Sequence, residues 1–119
     1  MLDDIQLIGL SALRSRHASE RLGLIAGNVA NADTPGYLAR DLEGFEDAVR
    51  RLGRSPATTA PTFVETHPAI PGAQSPNGNN VALEDQMSRA SRAMRDHETA
   101  TLIYSKALDF LRSALGRKG

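Results

Sequence analysis

The sequence predicts an all-α protein in which a long N-terminal helix and a long C-terminal helix form an antiparallel pair resembling a coiled coil. Two series of mainly apolar residues, one in each half of the chain, alternate by three and four positions, which is the spacing of a helix stripe that packs on another helix. Between the two series, five of the six prolines fall within residues 54–80 of the 119-residue chain. Because proline interrupts helices, this segment separates two helical halves.

The first helix is predicted from about residue 4 to residue 31, a stretch without proline. Several positions of its stripe carry small side chains, which permits close approach of a partner helix. Gly9, Gly23 and Gly27 each lower the helix propensity by about 1 kcal/mol relative to alanine, so this stripe is too weak to hold a stable dimer by itself. The stripe comprises Ile5, Ile8, Ala12, Ser15, Ser19, Leu22, Ala26 and Val29.

A turn is predicted to end this helix near Asn31. Thr34 precedes a proline, which pushes it out of the helical region of backbone space. Pro35 and Gly36 are the favoured central pair of a type II turn, because glycine takes the positive φ at little cost. A short helix with one apolar face is then predicted from about residue 41 to residue 52, stopped by Gly53. Residues 1–53 form the first of three predicted regions.

Residues 54–80 form the second region, a middle segment rich in proline, glycine and asparagine. Arg54 and Glu65 are its only charged side chains apart from histidine, and its few apolar residues show no helical period. Ordering such a stretch costs about 1–2 kcal/mol per residue with little apolar area to offset it. We therefore expect a flexible segment unless a partner holds it, with room for a short extended piece around residues 62–66.

Residues 81–119 form the third region, which is dominated by one long helix. The four residues 77–80 supply a turn and a helix cap, and Glu84 and Asp85 lie in the first turn, where the helix dipole favours acidic groups. A helix of about 35 residues is roughly 50 Å long. Its stripe comprises Leu83, Met87, Ala90, Met94, His97, Thr101, Tyr104, Leu108, Leu111 and Leu115.

Apolar residues beside the two stripes exceed what one helix pair can bury. Leu10, Leu24, Leu102 and Ile103 are examples, and each large side chain is worth about 1.5–3 kcal/mol when buried. A single helical hairpin buries only one stripe of each helix. The surplus therefore predicts helix neighbours from other chains.

Composition excludes several kinds of partner and site. Fourteen basic and fourteen acidic residues give a formal net charge of zero, which predicts no nucleic acid and no anionic membrane as a partner. The absence of cysteine excludes disulfides and thiolate metal sites. No apolar run approaches the roughly 20 residues that cross a bilayer, so no direct membrane insertion is expected. The first residues do not predict an ordinary secretory signal peptide.

Catalysis and metal binding find little support in the sequence. His17, His67 and His97 lie on three different predicted elements, without the spacing of paired metal ligands. The nucleophile elbow of hydrolases and the glycine loops that bind phosphate are both absent. A run of arginines on the last helix is interpreted as a solvated or intersubunit salt-bridge face. The sequence therefore predicts no enzyme and no cofactor. These arginines are Arg89, Arg92 and Arg95.

Two segments resemble the signatures of the flagellar rod and hook proteins. In that family the first helix ends in Asn-x-Ala-Asn, followed by Thr-Pro-Gly-Tyr, and a Gly-Asn-Asn-Val-x-Leu-Glu-x-Glu-Met run opens the last helix of the proximal rod members. The first match comprises Asn28, Asn31, Thr34, Pro35, Gly36 and Tyr37. The second comprises Gly78, Asn79, Asn80, Val81, Leu83, Glu84 and Met87. Gln86, where the family has an acidic residue, and His97-Glu98, where an aromatic residue is frequent, depart from the pattern.

The resemblance implies a structural role in motility. Rod subunits of this family are made in the cytoplasm and leave it through the flagellar type III export apparatus. They polymerise through paired terminal helices in the core of a rod that spans the periplasm and transmits torque. Implied partners are copies of the same chain, other rod proteins, the adaptor protein of the membrane ring at the rod base, and the export gate. Phe45 and Val49 match the short pattern associated with gate recognition.

A second class of function is compatible with the same residues. A helical-hairpin adaptor or a secretion chaperone would also present two long helices with surplus apolar surface. Such a protein would form a stable, soluble complex with one partner and no polymer. The two classes therefore differ in what covers the apolar surface.

Overall fold

Two long helices dominate the computed structural model, which describes residues 2–55, 60–70, 72 and 74–116. The elements in chain order are α1 (Leu2–Ala30), β1 (Asp41–Leu42), α2 (Phe45–Leu52), β2 (Glu65–Thr66) and α3 (Leu83–Gly116). The predicted helical class and the pairing of the terminal helices are confirmed. A small antiparallel sheet, formed by the two strands, adds to the prediction. Pro56 and Pro71 of the predicted middle segment lie outside the described residues.

The helices α1 and α3 run antiparallel along a seam of mostly small side chains. Asn28 meets Gln86 near one end, and Arg14 meets Asp96 further along the pair. One series of buried positions in each helix recurs every seven residues, which is the repeat of a coiled-coil contact. In α1 they are Ser11, Ala18 and Ile25, and in α3 they are Gln86, Ala93, Ala100 and Ala107.

The predicted stripe is not this seam, so its assignment as the contact between the two helices is wrong. The seam lies one position away along much of both helices, for example at Ala18 instead of Ser19 and at Ala93 instead of Met94. Both stripes keep the spacing of three and four residues, so the spacing by itself does not identify which of them faces the partner helix. Of the predicted residues, Ile5, Ala12, Val29, Met94, Tyr104 and Leu115 are exposed, and Ile8, Leu22, Leu108 and Leu111 are half-buried.

The short helix α2 begins four residues later than predicted. Its first turn forms after Gly44, whose carbonyl oxygen accepts from the amide of Ala48 at 3.0 Å. Asp41 and Leu42 instead pair with β2, because the Asp41 carboxylate is held by arginines of both long helices. The helix ends before Gly53, as predicted.

Part of the middle segment is held against α1 and β1. The amide of Val64 donates to Glu43 Oε2 at 2.6 Å, and the ring of Phe63 meets the His17 ring edge-on at 4.9 Å between centroids. The predicted extended piece is confirmed at β2. Flexibility of the rest of residues 54–80 remains a prediction.

The molecule is elongated, measuring 70 × 29 × 19 Å along its principal axes. Among the residues that the structure describes, no helix combines the length and the apolar character needed to cross a membrane. The strand β1 and the helix α2 cover one side of the helix pair, which leaves the other side of α1 and α3 open.

Candidate functional site

The two signature segments meet where α1 ends and α3 begins. The amide of Gly36 donates to the Asn77 carbonyl oxygen at 2.9 Å, and the amide of Asn80 donates to the Tyr37 carbonyl oxygen at 3.2 Å. These partners lie about forty residues apart in the chain. We call this contact the junction, formed by residues 28–41 and 77–81 together with Gln86.

Asn28 is the buried centre of the junction. Its Nδ2 donates to the Arg40 carbonyl oxygen at 2.8 Å and to Gln86 Oε1 at 2.9 Å. Its Oδ1 accepts from the Arg40 amide at 2.9 Å and from the Tyr37 hydroxyl at 3.0 Å. An asparagine side chain has two N–H donors and one carbonyl oxygen with two lone pairs, and all are used here. No other side chain of this size offers the same set.

Asn79 is a second buried amide, and it joins the opening of α3 to the turn after α1. Its Nδ2 donates to the carbonyl oxygens of Asn31 and Thr34, both at 2.8 Å. Its Oδ1 accepts from the Val81 amide at 2.8 Å. Each of these carbonyl oxygens also accepts a backbone amide of the turn, from Thr34 and Tyr37 respectively, so Asn79 adds a second donor to each.

Two glycines with positive φ allow the segments to approach. The predicted turn is present, with the Tyr37 amide donating to the Thr34 carbonyl oxygen at 3.2 Å and a φ of 73° at Gly36. Gly78 has a φ of 86°, and a Cβ atom placed on it would lie 3.5 Å from the Gly36 Cα. Both glycines are therefore required by backbone conformation, and their backbones pack directly on each other.

Asp41 ties both long helices to β1. Its carboxylate accepts from Arg21 of α1 at 2.8 and 3.0 Å and from Arg89 of α3 at 2.7 Å. Burial by itself raises the pKa of Asp41, but hydrogen bonds from Arg21, the Leu42 amide and Arg89 outweigh it and lower the pKa below its ordinary value of 3.8. The side chain is only 5% exposed, so the ion pairs are shielded from water.

Gln86, which departs from the family pattern, fits its site as an amide. Its Oε1 accepts from Asn28, and its Nε2 lies 3.4 Å from Asp85 Oδ2 in a long hydrogen bond. A glutamate here would keep the first contact but place a second negative charge beside Asp85. The amide therefore suits a buried position next to an existing carboxylate.

Phe45 and Val49, the candidate export residues, border an apolar groove rather than the junction. The Phe45 ring meets His17 edge-on at 5.5 Å, and the Arg14 guanidinium lies 5.0 Å above it. A cavity of about 310 Å³ lies between this ring and the long helices, and Val49 lines its continuation. Both side chains are half-buried, which packing explains without a partner.

The predicted signature residues divide into two groups. Asn28, Asn31, Thr34, Gly36 and Tyr37 make the junction contacts described above. From the second segment, the residues at the junction are Gly78, Asn79, Asn80 and Val81. Pro35 is exposed in the turn, and Leu83, Glu84 and Met87 are exposed on the first turns of α3.

Sequence reasoning missed the charged side chains in and beside the junction. Asp41, Arg21 and Arg40 carried no pattern that marked them, and Arg89 was interpreted as part of a solvated or intersubunit salt-bridge face. Arg89 lies three residues from Arg92, which suggested a solvent-facing series, whereas its guanidinium is held between Asp41 and Asp85. A buried carboxylate with two arginines is visible only once distant segments are placed together.

The junction is built to hold backbone segments in place. Nearly all of its buried polar atoms are engaged with one another, so they fix the rotation and register of the two long helices. Within the described ranges, no group of three or more histidine, aspartate or glutamate side chains is arranged to bind a metal ion. The hydrogen bonds and ion pairs of this arrangement can hold the two long helices in a fixed relative position.

The junction brings together the two segments that resemble the signatures of the flagellar rod and hook proteins. Comparison with known proteins confirms the resemblance. The chain is 28% identical over 109 residues to the flagellar basal body rod protein FlgB of Aeromonas hydrophila, covering 82% of this chain and 83% of that protein. It is 26% identical over 120 aligned positions to the FlgB protein of Agrobacterium fabrum, covering 87% and 89%. No protein-family model matches the chain.

Proposed function

We propose that the chain is a structural subunit of the flagellar basal body rod and acts by assembly rather than by catalysis. The observation that carries the proposal is the junction, because the residues that resemble the two family signatures meet there. The similarity to two FlgB proteins along most of their length supports it.

The terminal helices are the elements through which we propose that the chain polymerises. They provide two stiff rods of 29 and 34 residues, tied at one end by buried ion pairs and amides. Fifteen large apolar side chains remain exposed among the described residues, more than a folded monomer needs on its surface. A subunit with these properties would bury that surface in a polymer and carry torque along its helices.

The finer features of the family role follow from the resemblance. We propose synthesis in the cytoplasm, export by the flagellar type III system and a proximal position in the rod, within the periplasm. The partners would be copies of this chain, other rod proteins, the membrane-ring adaptor and the export gate. Phe45 and Val49 would contact the gate before folding, since packing later covers most of each residue.

Localisation in purified hook–basal bodies tests the proposal. A copy with an epitope tag inserted beside the exposed Arg54 would be expressed in cells that lack their own rod protein. We expect immunogold label at the rod base and restored motility. A Leu108→Asp variant carries a charge on the half-buried face of α3 and should fail to enter the rod. Motile cells with normal rods made from this variant would contradict a contribution of that face to assembly.

The alternative of an adaptor or secretion chaperone predicts a different result. The tagged protein would remain in the cytoplasm in a soluble complex with one partner, and basal bodies would carry no label. That outcome would overturn the rod proposal.

A further inference from the structure

One dipeptide of the junction joins two residues that can react with each other. Among the asparagines of the chain, Asn77 alone is followed by glycine. The amide nitrogen of Gly78 can attack the side-chain carbonyl carbon Cγ of Asn77, because glycine has no Cβ atom to obstruct the approach. Asn77 is exposed, so water reaches its side chain. The dipeptide is therefore a candidate for a covalent rearrangement that has no part in the rod proposal.

The rearrangement needs water and no other reactant. First, the Gly78 nitrogen loses its proton and forms a bond to Asn77 Cγ, while the bond from Cγ to Nδ2 breaks. The proton passes through water to Nδ2, which leaves as ammonia, and a cyclic imide remains. Water then opens the imide. Cleavage of the new bond at Cγ gives aspartate, whereas cleavage of the original peptide bond gives isoaspartate, whose main chain runs through Cγ.

The folded turn holds both reacting groups. The Gly78 amide donates to the Ser75 carbonyl oxygen at 2.9 Å, so the proton that must be lost is engaged in a hydrogen bond. Asn77 Oδ1 accepts from Ser75 Oγ at 2.8 Å and from the Asn79 amide at 3.0 Å. An amide proton held in a native hydrogen bond is released only when the structure opens locally. The turn must therefore open before the Gly78 nitrogen can attack.

Contacts with the turn after α1 keep the Asn77–Gly78 turn closed. The Asn77 carbonyl oxygen accepts from the Gly36 amide at 2.9 Å. A Cβ atom placed on Gly78 would lie 3.5 Å from the Gly36 Cα, so the two backbones are in direct contact. The next residue, Asn79, is 2% exposed and donates to two carbonyl oxygens beyond α1. The reaction is therefore coupled to opening of the junction.

The two products should differ in their effect on the junction. Aspartate keeps the backbone, and its carboxylate still accepts the hydrogen bonds of Asn77 Oδ1. Isoaspartate adds one carbon atom to the main chain, which lengthens it by about 1.5 Å. It also converts the carbonyl group that the Gly36 amide binds into a free carboxylate. Gly78 and Asn79 would then be displaced from their partners, and the second signature segment would not close on the first.

We propose that Asn77–Gly78 is a site of spontaneous isoaspartate formation, which the closed junction suppresses and the open chain permits. The modification destroys the structure that prevents it, because the isoaspartate form does not close the junction again. A chain that stays open for long would therefore lose its capacity to fold. The inference goes beyond the rod proposal and does not depend on it.

Peptide mapping by mass spectrometry measures the reaction after incubation at mildly alkaline pH. The full chain is incubated folded, as verified by circular dichroism, and unfolded in urea. We expect modification of Asn77 to be about tenfold faster or more in urea, because no opening step is then required. In urea, Gly78→Ala should slow the reaction about tenfold, since its Cβ atom obstructs the attack. Equal rates in the folded and unfolded chains, or equal rates at all asparagines in urea, would overturn the inference.

The effect on the junction is measured on the isoaspartate form, isolated from the aged chain by reversed-phase chromatography. Asn77→Asp is the matched control, because it carries the same added charge on an unaltered backbone. Urea denaturation should give an unfolding constant for the isoaspartate chain about tenfold or more above that of the control. Equal stability of the two chains would overturn the inference.

These outcomes are separate from those of the rod proposal. A chain that labels the rod base, but shows no protection of Asn77 by folding, would leave the rod proposal standing without this site. Protection of Asn77 by folding, together with unlabelled basal bodies, would do the reverse.

Discussion

At the scale of single residues, the buried amides decide how the two helices meet. Asn28 uses every donor and acceptor it has, and Asn79 bridges two carbonyl oxygens beyond α1. Both were identified from the sequence through the resemblance. Their partners were not, because a hydrogen bond between residues 58 positions apart leaves no local pattern.

Replacing Asn28 by aspartate should destabilise the fold strongly. The shape is kept, but both donors are lost, and a buried charge then faces the Arg40 carbonyl oxygen and Gln86 Oε1. We expect a loss of about 2–4 kcal/mol in the free energy of unfolding, measured by urea denaturation. Asn77→Asp is the matched control: Asn77 accepts through Oδ1 alone from Ser75 and Asn79, and a change of about 0.5 kcal/mol or less is expected. Equal losses in both variants would contradict the role of Asn28.

Asp41 should make the stability of the fold depend on pH in the acid range. Its pKa is lowered in the folded chain, so its contribution is complete above the ordinary value of 3.8 and is lost as the pH falls from there through the folded pKa. At about pH 7, Asp41→Asn should cost about 3–5 kcal/mol, because two arginines lose a shielded partner.

The test compares urea denaturation of the wild-type and Asp41→Asn chains over a pH series. The difference between them should shrink as the pH drops below 3.8. Asp47→Asn, in an exposed ion pair with Arg50, is the control and should change stability by about 0.5 kcal/mol or less. A constant difference at all pH values would show that Asp41 does not act through its charge.

At the scale of elements, the two long helices could be predicted, but the face that each helix turns toward the other could not. The three- and four-residue spacing correctly indicated α1 and α3, since apolar periodicity directly reflects helix geometry. It could not identify which of two adjacent stripes faces inward, because Ala93 and Met94 both continue a heptad series. The junction decides this through Asn28 and Gln86, so rotation depends on distant polar contacts.

The seam of small side chains should tolerate no larger residue. Ala93 is fully buried between the helices, and Ala93→Leu would force them apart. We expect a loss of about 1–3 kcal/mol from overpacking, measured by thermal denaturation. Ser91→Leu, at an exposed site of the same helix, should have little effect. An unchanged melting temperature for Ala93→Leu would indicate that the helices do not pack along the alanine stripe.

Replacing glycine by alanine should have opposite effects on stability in the turn and in the helix. Gly78→Ala puts a side chain on a backbone with a φ of 86° and against Gly36, and should cost about 1–2 kcal/mol. Gly9→Ala lies in the open helix α1 and should stabilise by up to about 1 kcal/mol. Chemical denaturation of the two variants measures the change in the free energy of unfolding and its direction. If both variants changed the free energy of unfolding in the same direction, the conclusion that Gly78 is required for its positive φ and that Gly9 is a replaceable surface residue of α1 would be contradicted.

At the scale of the whole molecule, folding and assembly should be coupled. The surplus apolar surface, which the sequence predicted, remains exposed on the single chain. Neighbours that bind only the folded form stabilise it by mass action. The pairing of β1 with β2, in contrast, could not be predicted from two residues per strand, because its contacts depend on where the Asp41 ion pairs place the chain.

The melting temperature should therefore rise with protein concentration. We expect modest helicity in dilute solution and more at high concentration, measured by circular dichroism at a series of concentrations. A fully helical wild-type chain with one melting temperature at all concentrations would show that folding is independent of neighbours.

The junction closes only one end of the helix pair. Arg14 pairs with Asp96 and Leu7 shares a groove with Ile103, so α3 extends about seven residues, roughly 10 Å, past the start of α1. The two ends of each subunit therefore differ: the junction fixes the helices at one end, and the C-terminal part of α3 projects alone at the other. A filament that repeats this unit by one kind of contact would be polar: its two tips would expose different chemistry, and addition of subunits could be restricted to a single growing tip.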